Sequence, residues 1–196
     1  MSDHILREFK DHIDGIALLT SEAWTELEQI VRISEIGNEE FLVREGARAT
    51  NEVYIARGIL RAFYRSYDGE EVNVAFHTEN NVLPPQYFRT KDSISHQNIH
   101  ALTDVLVVEF NADQFSALRY KHESLLRYGN VIVERELEYK TQREILLLTK
   151  SAEERYQAFR EIYPGLENGI SQYHIASYLG ITPVSLSRIR KSLATK

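Results

Sequence analysis

Apolar residues recur at helical spacing toward both ends of this 196-residue chain and crowd into short extended runs in its middle. Residues 3–13 set Ile5, Leu6, Phe9 and Ile13 on one side of a helix. A second helix is expected to start after Thr20, its N-cap, and to run to about Arg32, burying Trp24, Leu27, Ile30 and Val31. From Ile33 to about Phe110 the pattern becomes strand-like: Phe41–Arg44, Glu52–Ala56, Ile59–Tyr67, Glu71–His77, Ile99–Ala101 and Val105–Phe110. Gly37, Gly46, Gly58 and Gly69 punctuate these runs, and Asp68-Gly69 marks a hairpin. Many short strands at close spacing imply a β-barrel or jelly roll. Residues 79–97 are the least regular part. They hold Pro84-Pro85 and a polar run from Arg89 to Ser93, read as a long solvated loop.

Past Asn111, which caps a short helix to about Arg119, the chain is helical. A longer helix should cover about His122 to Leu148, roughly 40 Å if unbroken. Leu125, Ile132, Tyr139 and Leu146 recur every seven residues, with Leu126, Val133 and Leu137 beside them. Such a stripe lines a coiled-coil seam or presses on the barrel, and different faces of the helix can serve both. Gly129 inside it points to a close approach or a kink. Ser151 and Glu154 form a capping box that starts the next helix after a hinge at 148–151. That helix carries Tyr156, Phe159, Arg160 and Tyr163 and stops at Pro164-Gly165.

The segment SQYHIASYLGITPVSLSRIRKSL, 171–193, carries the most specific pattern. Ile175, Leu179, Ile181, Leu186 and Ile189 would hold two helices together, with small Ala176 between them. Gly180 sits at the corner, where a residue without Cβ adopts positive φ most cheaply. Thr182 caps a second helix and Pro183 fills its first turn. This is the pattern of a helix-turn-helix that reads the major groove.

Charge changes the picture in the same direction. The chain has 23 Lys and Arg against 29 Asp and Glu, yet no acidic residue lies between Asn168 and Lys196. Arg188, Arg190, Lys191 and Lys196 give that end a charge of +4 and leave the other 167 residues at −10. A locally basic end suits a phosphate backbone, and the acidic remainder limits indiscriminate sticking to DNA. No run of about 18 apolar residues exists to span a membrane, and the charged N-terminus is not a secretory signal. A cytoplasmic protein is expected. With no cysteine, disulfides, thiolate zinc sites and Cys-ligated iron–sulfur clusters are excluded.

The order of elements resembles the Crp/Fnr family of bacterial transcription regulators, most specifically in IASYLGITPVSLSRIRKSL. FLVREGARATNEVYIARGILRAFY followed by YDGEEVNVAF is similar to the opening strands of that family's cyclic-nucleotide-binding roll. The resemblance implies an α+β chain in three parts. A jelly-roll β-barrel with flanking helices covers 1–120, a long dimerisation helix 121–149, and a winged-helix-type helix-turn-helix domain 150–196. It implies a homodimer on a two-fold-symmetric operator of double-stranded DNA, with half-sites roughly 34–36 Å apart. RNA polymerase and an unidentified small-molecule effector are further partners it leaves open.

Carried over by position, Pro183, Val184, Ser187 and Arg188 face base edges. Ser171, Gln172, Tyr173, Ser185, Arg190 and Lys191 complete the DNA surface, largely through phosphates. Val184 stands where many relatives have Glu, so the operator should differ from that of the cyclic-AMP receptor. Leu125, Ile132, Val133, Tyr139 and Leu146 are the expected dimer contacts.

The roll departs from cyclic-AMP-binding relatives. Val82-Leu83-Pro84-Pro85-Gln86 replaces their Gly-Glu-Leu segment, and Ser95-His96-Gln97 aligns with their Arg-Ser-Ala. No buried Arg for the phosphate is expected, and Arg89 or Lys91 is read as a solvated loop charge. Tight cyclic-nucleotide binding is therefore not expected, and no cofactor is assigned. His77, His96 and His100 leave haem open in principle and are read as ordinary histidines. Two rival functions remain: a degenerate sensor or scaffold that binds protein, and a jelly-roll metal-binding enzyme. The enzyme lacks the closely spaced His pair that such a site needs. No nucleophile elbow, phosphate loop or HExxH is present, so no enzymatic activity is expected.

Overall fold

The computed structural model describes residues 2–194, so Lys196 of the basic end lies outside them. The chain opens with α1 (Ser2–Asp14) and α2 (Ser21–Glu28). The roll follows as β1 (Val31–Ile36), β2 (Phe41–Val43), β3 (Asn51–Arg57), β4 (Leu60–Arg65), β5 (Glu71–His77) and β6 (Asn81–Val82). A short helix α3 (Gln86–Arg89) leads to β7 (Thr90–Lys91), β8 (Ile94–Ser95), β9 (Asn98–Ala101) and β10 (Val105–Asn111). Helices α4 (Ala112–Lys121), α5 (Glu123–Thr149), α6 (Ala152–Ile162), α7 (Gln172–Leu179) and α8 (Pro183–Ala194) complete it, with a 3-10 turn at Leu166–Asn168. The strands form two four-stranded sheets, ordered β1-β10-β3-β6 and β2-β9-β4-β5, and a two-stranded ribbon of β7 and β8. No helix among the described residues is long and apolar enough to cross a membrane.

By contacts the chain divides into two compact units. One holds the residues up to Ala62 together with Phe76–Leu137; the other joins Phe63–Ala75 to the residues from Glu138 onward. The boundary falls inside α5, and the turn between β4 and β5 is counted with the C-terminal helices.

In the first unit, α1 lays Ile5, Phe9 and Ile13 on β3 and β10, all nearly or fully buried. The Phe9 ring lies 5.0 Å from Tyr54 and 5.6 Å from Phe110. Thr20 caps α2 as expected, accepting from the Ala23 amide at 3.1 Å. The helix stops four residues short of the expected end, and Val31 opens β1 against β10. The β-branched run Ile30-Val31-x-Ile33 explains this, since such side chains pack better on a pleated surface than in a last helical turn.

Residues 79–97 are more ordered than the sequence suggested. Pro84-Pro85 does end β6, but Pro85 then opens α3. Asn111 caps α4 by accepting from the amides of Asp113 and Gln114. Gly129 is buried against the Arg119 side chain: a Cβ there would lie 2.5 Å from Arg119 Nε. The close approach is made by a side chain rather than by another backbone.

In the second unit, Ser151 and Glu154 form the full capping box. The C-terminal segment is all helical among the described residues.

Candidate nucleic-acid interface

The two-helix corner is built by local signals that agree. Ser171 caps α7, its hydroxyl accepting from the Tyr173 amide at 3.2 Å. Gly180 takes φ 65°, and its amide bonds to Ser177 O at 3.1 Å while that of Ile181 reaches Ala176 O at 3.0 Å. This pair of bonds is a Schellman closure, which satisfies the last carbonyls of α7 and turns the chain. Thr182 accepts from the Ser185 amide at 3.2 Å, and Pro183 fills the first turn of α8. Ile175, Ala176, Leu179 and Leu186 are buried where the two helices meet, and Ile181 and Ile189 are half-buried.

The residues left over are the ones expected to meet DNA. Ser171, Gln172, Tyr173, Pro183, Val184, Arg188 and Lys191 are exposed; Ser185, Ser187 and Arg190 are half-buried. Val184, Arg188 and Lys191 stand four and three residues apart, so they share one face of α8. Val184 is 61% exposed. The Ser185 hydroxyl lies 3.0 Å from Thr182 Oγ1 and so belongs to the helix cap.

The same unit contains contacts that no local pattern announced. The Ser177 hydroxyl donates to Glu71 O at 2.7 Å and accepts from the Asn73 amide at 3.0 Å. Asn73, fully buried, donates from Nδ2 to His174 O at 3.1 Å. Arg143 donates to Asn73 O at 3.2 Å. Tyr139 Oη lies 2.7 Å from the Tyr163 hydroxyl, 3.1 Å from that of Tyr178 and 3.3 Å from Val74 O. One assignment uses every group: Tyr139 donates to Val74 O and accepts from the other two phenols. Burial then pushes the Tyr139 phenol far above its ordinary range, so the hub stays protonated.

In the first unit, the roll carries a buried polar set: Arg61, His77, Arg89, Ser95, Gln97, Asn98 and His100. Arg89 corrects two expectations at once. It is 2% exposed, not a solvated loop charge, and it supplies the buried Arg that seemed to be missing. The protein itself consumes it. Nε donates to Pro84 O at 2.6 Å, one terminal nitrogen donates to Asn51 O at 2.7 Å, and Glu52 lies 4.0 Å away. Burial lowers its pKa, with Glu52 and Glu136 opposing that shift. Lys91 is exposed, as expected.

The three histidines differ. His96 is exposed. His100 Nδ1 accepts from Arg61 Nε at 3.1 Å, and Nε2 lies 3.1 Å from Glu39 O. His77 is buried with no hydrogen-bond partner for Nε2. Burial, aided by the nearby Arg89 charge, pushes its pKa down to about 3. No group of three or more His, Cys, Asp or Glu among the described residues is arranged to hold a metal.

Residues 34–122 match the family model for the cyclic nucleotide-binding domain. Over 85% of this chain and 85% of the other, the structure is similar to FixK2 from Bradyrhizobium japonicum, with a TM-score of 0.74 at 20% identity. Its fold is that of the Crp/Fnr regulators. The Crp/Fnr fold also links the chain to CLP from Xanthomonas campestris, described as a c-di-GMP-responsive global regulator. That match covers 90% of this chain and 92% of the other, with a TM-score of 0.70 at 12% identity. A Crp/Fnr transcriptional regulator from Eubacterium rectale matches over 90% of this chain and 84% of its own, with a TM-score of 0.70 at 14% identity. No curated protein matches by sequence.

In this chain the long helix turns part of the expected stripe inward. Leu125 is fully buried in the core of its own unit, and Ile132 packs on the same core. Leu125 is therefore corrected from a dimer contact to a core residue. Tyr139 is held by the phenol hub, and Val133 and Leu146 are half-buried. The exposed apolar positions of α5 are Leu126, Leu137, Ile145 and Leu148. A core stripe and a seam share the seven-residue period, and Leu125 and Ile132 meet it by packing on the core.

Proposed function

We propose that the chain is a dimeric, sequence-specific double-stranded-DNA-binding transcription regulator without enzymatic activity. The single observation that carries this is α8. Its exposed face bears Val184, Arg188 and Lys191, at the outer helix of a two-helix corner in a segment free of acidic residues. Arg188 donates two bonds to guanine O6 and N7, and Val184 touches a thymine methyl. Ser171, Gln172 and Tyr173 fix register on phosphates. The dimer seam runs along Leu126, Val133 and Leu137 of α5, which keep coiled-coil spacing. Two heads then meet major grooves one helical turn apart.

Selection of bound fragments from random DNA gives the operator, and titration against it tests the reading. Arg188→Ala should cost about 1–3 kcal/mol and relax preference at one base pair. Unchanged affinity and preference would remove Arg188 from the reading surface, and failure to bind any duplex at low salt would remove the function.

Cyclic AMP is not the controlling ligand in this reading. The structural argument is Arg89, whose guanidinium donates to Pro84 O and Asn51 O and lies 4.0 Å from Glu52, so a phosphate there would have to compete with these partners. Millimolar cyclic AMP should leave the melting temperature where it was; a rise of several degrees at micromolar ligand would refute this.

A further inference from the structure

We infer that the turn between β4 and β5 is an acidic guard on the DNA-binding surface, with Glu70 as the residue that lowers affinity. The inference rests on the DNA-binding reading above and deepens it. Residues 66–70 form a tight exposed turn: Ser66 N donates to Glu70 O at 2.9 Å, and Gly69 takes φ 86°. The strand leaving it is pinned to α7 by Ser177, through Glu71 O at 2.7 Å and the Asn73 amide at 3.0 Å. Glu70 is thereby fixed one residue from an anchored carbonyl. Its carboxylate accepts from the Tyr173 hydroxyl at 3.5 Å.

Tyr173 lies in the first turn of α7, beside the exposed Ser171 and Gln172 that are assigned to phosphates. A phosphate that takes the Tyr173 hydroxyl must displace Glu70 and then sit close to its charge. Asp68, on the same turn, is engaged by the Ser66 hydroxyl. Across residues 65–71, the three carboxylates of Asp68, Glu70 and Glu71 against the one cation of Arg65 make the tip net acidic. Repulsion between exposed unit charges a few ångströms apart is modest and screened by salt.

The test uses the full-length protein and a selected duplex in anisotropy titrations across salt. Glu70→Gln and Glu70→Ala should each bind about three- to tenfold more tightly at low salt, with the gain shrinking toward physiological ionic strength. Equal affinity of wild type and both variants would overturn the guard while leaving the DNA reading intact. Weaker binding would overturn it too, showing that the tip helps to hold the duplex. A wild type that binds no duplex would overturn both.

Discussion

Acid should destabilise the unit that contains His77 well before its carboxylates titrate. The imidazole is buried without a partner for Nε2, and its pKa in the folded chain falls from the ordinary 6.5 to about 3. Below pH 6.5 the unfolded chain takes up a proton there that the folded chain refuses. His77 therefore contributes stability in full above pH 6.5 and loses it progressively down to about 3. One pH unit of such a mismatch is worth about 1.4 kcal/mol, so the loss between pH 6.5 and 5 should be about 2 kcal/mol.

Trp24, the single tryptophan, packs on Phe9 in the same unit and reports its unfolding. Urea titrations followed by Trp24 fluorescence at several pH values measure the slope. His77→Gln should reduce that slope by close to one proton. His12, whose pKa burial also lowers, leaves a smaller effect of the same sign. An identical slope in wild type and variant would show that His77 is not the group responsible.

Arg89→Met should cost about 3–5 kcal/mol of stability, as removal of one member of a buried charge pair does. The loss has three parts: two carbonyls, Pro84 O and Asn51 O, lose their donor, and Glu52 loses its nearest cation. Burial already raises the Glu52 pKa. Without Arg89 that carboxyl should protonate at a still higher pH. Glu52→Gln added to Arg89→Met should recover part of the cost, since the stranded charge is gone, and the two effects should be clearly non-additive. A loss under 1 kcal/mol for Arg89→Met would mean that the guanidinium remains well solvated.

The elements most easily read from the sequence were those whose signals are local. Thr20, Asn111, Ser151, Gly180, Thr182 and Pro183 each act within four residues, and each took the backbone role expected of it. Gly69 behaved likewise at its hairpin. Where two periods coincide, the reading failed: Ile30 and Val31 fit a helix end and a strand start equally, and Leu125 fits a seam and a core. Arg89 failed for another reason. In sequence it heads a polar run, and only the return of Pro84 O and Asn51 O to one point makes a dry, bonded site for it. Exposure of Val184, Arg188 and Lys191 was legible because α8 is amphipathic. The grip of Ser177 on residues 71 and 73 was not, because no pattern in either stretch refers to the other.

That grip has a consequence for how the protein can be made and cut. Asn73 and Ser177 are separated by about a hundred positions, so loop closure over that span must precede their pairing, and such distant contacts slow folding. A ribosome will have released most of the polypeptide before α7 can find its strand. A fragment starting at Glu138 would carry the whole two-helix corner yet lack Glu71, Asn73 and Val74. Its Ser177 hydroxyl and its Tyr139 phenol would lose the peptide groups they bond in the intact chain. Cut out at Glu138, the two-helix corner should therefore be less stable than in the intact polypeptide.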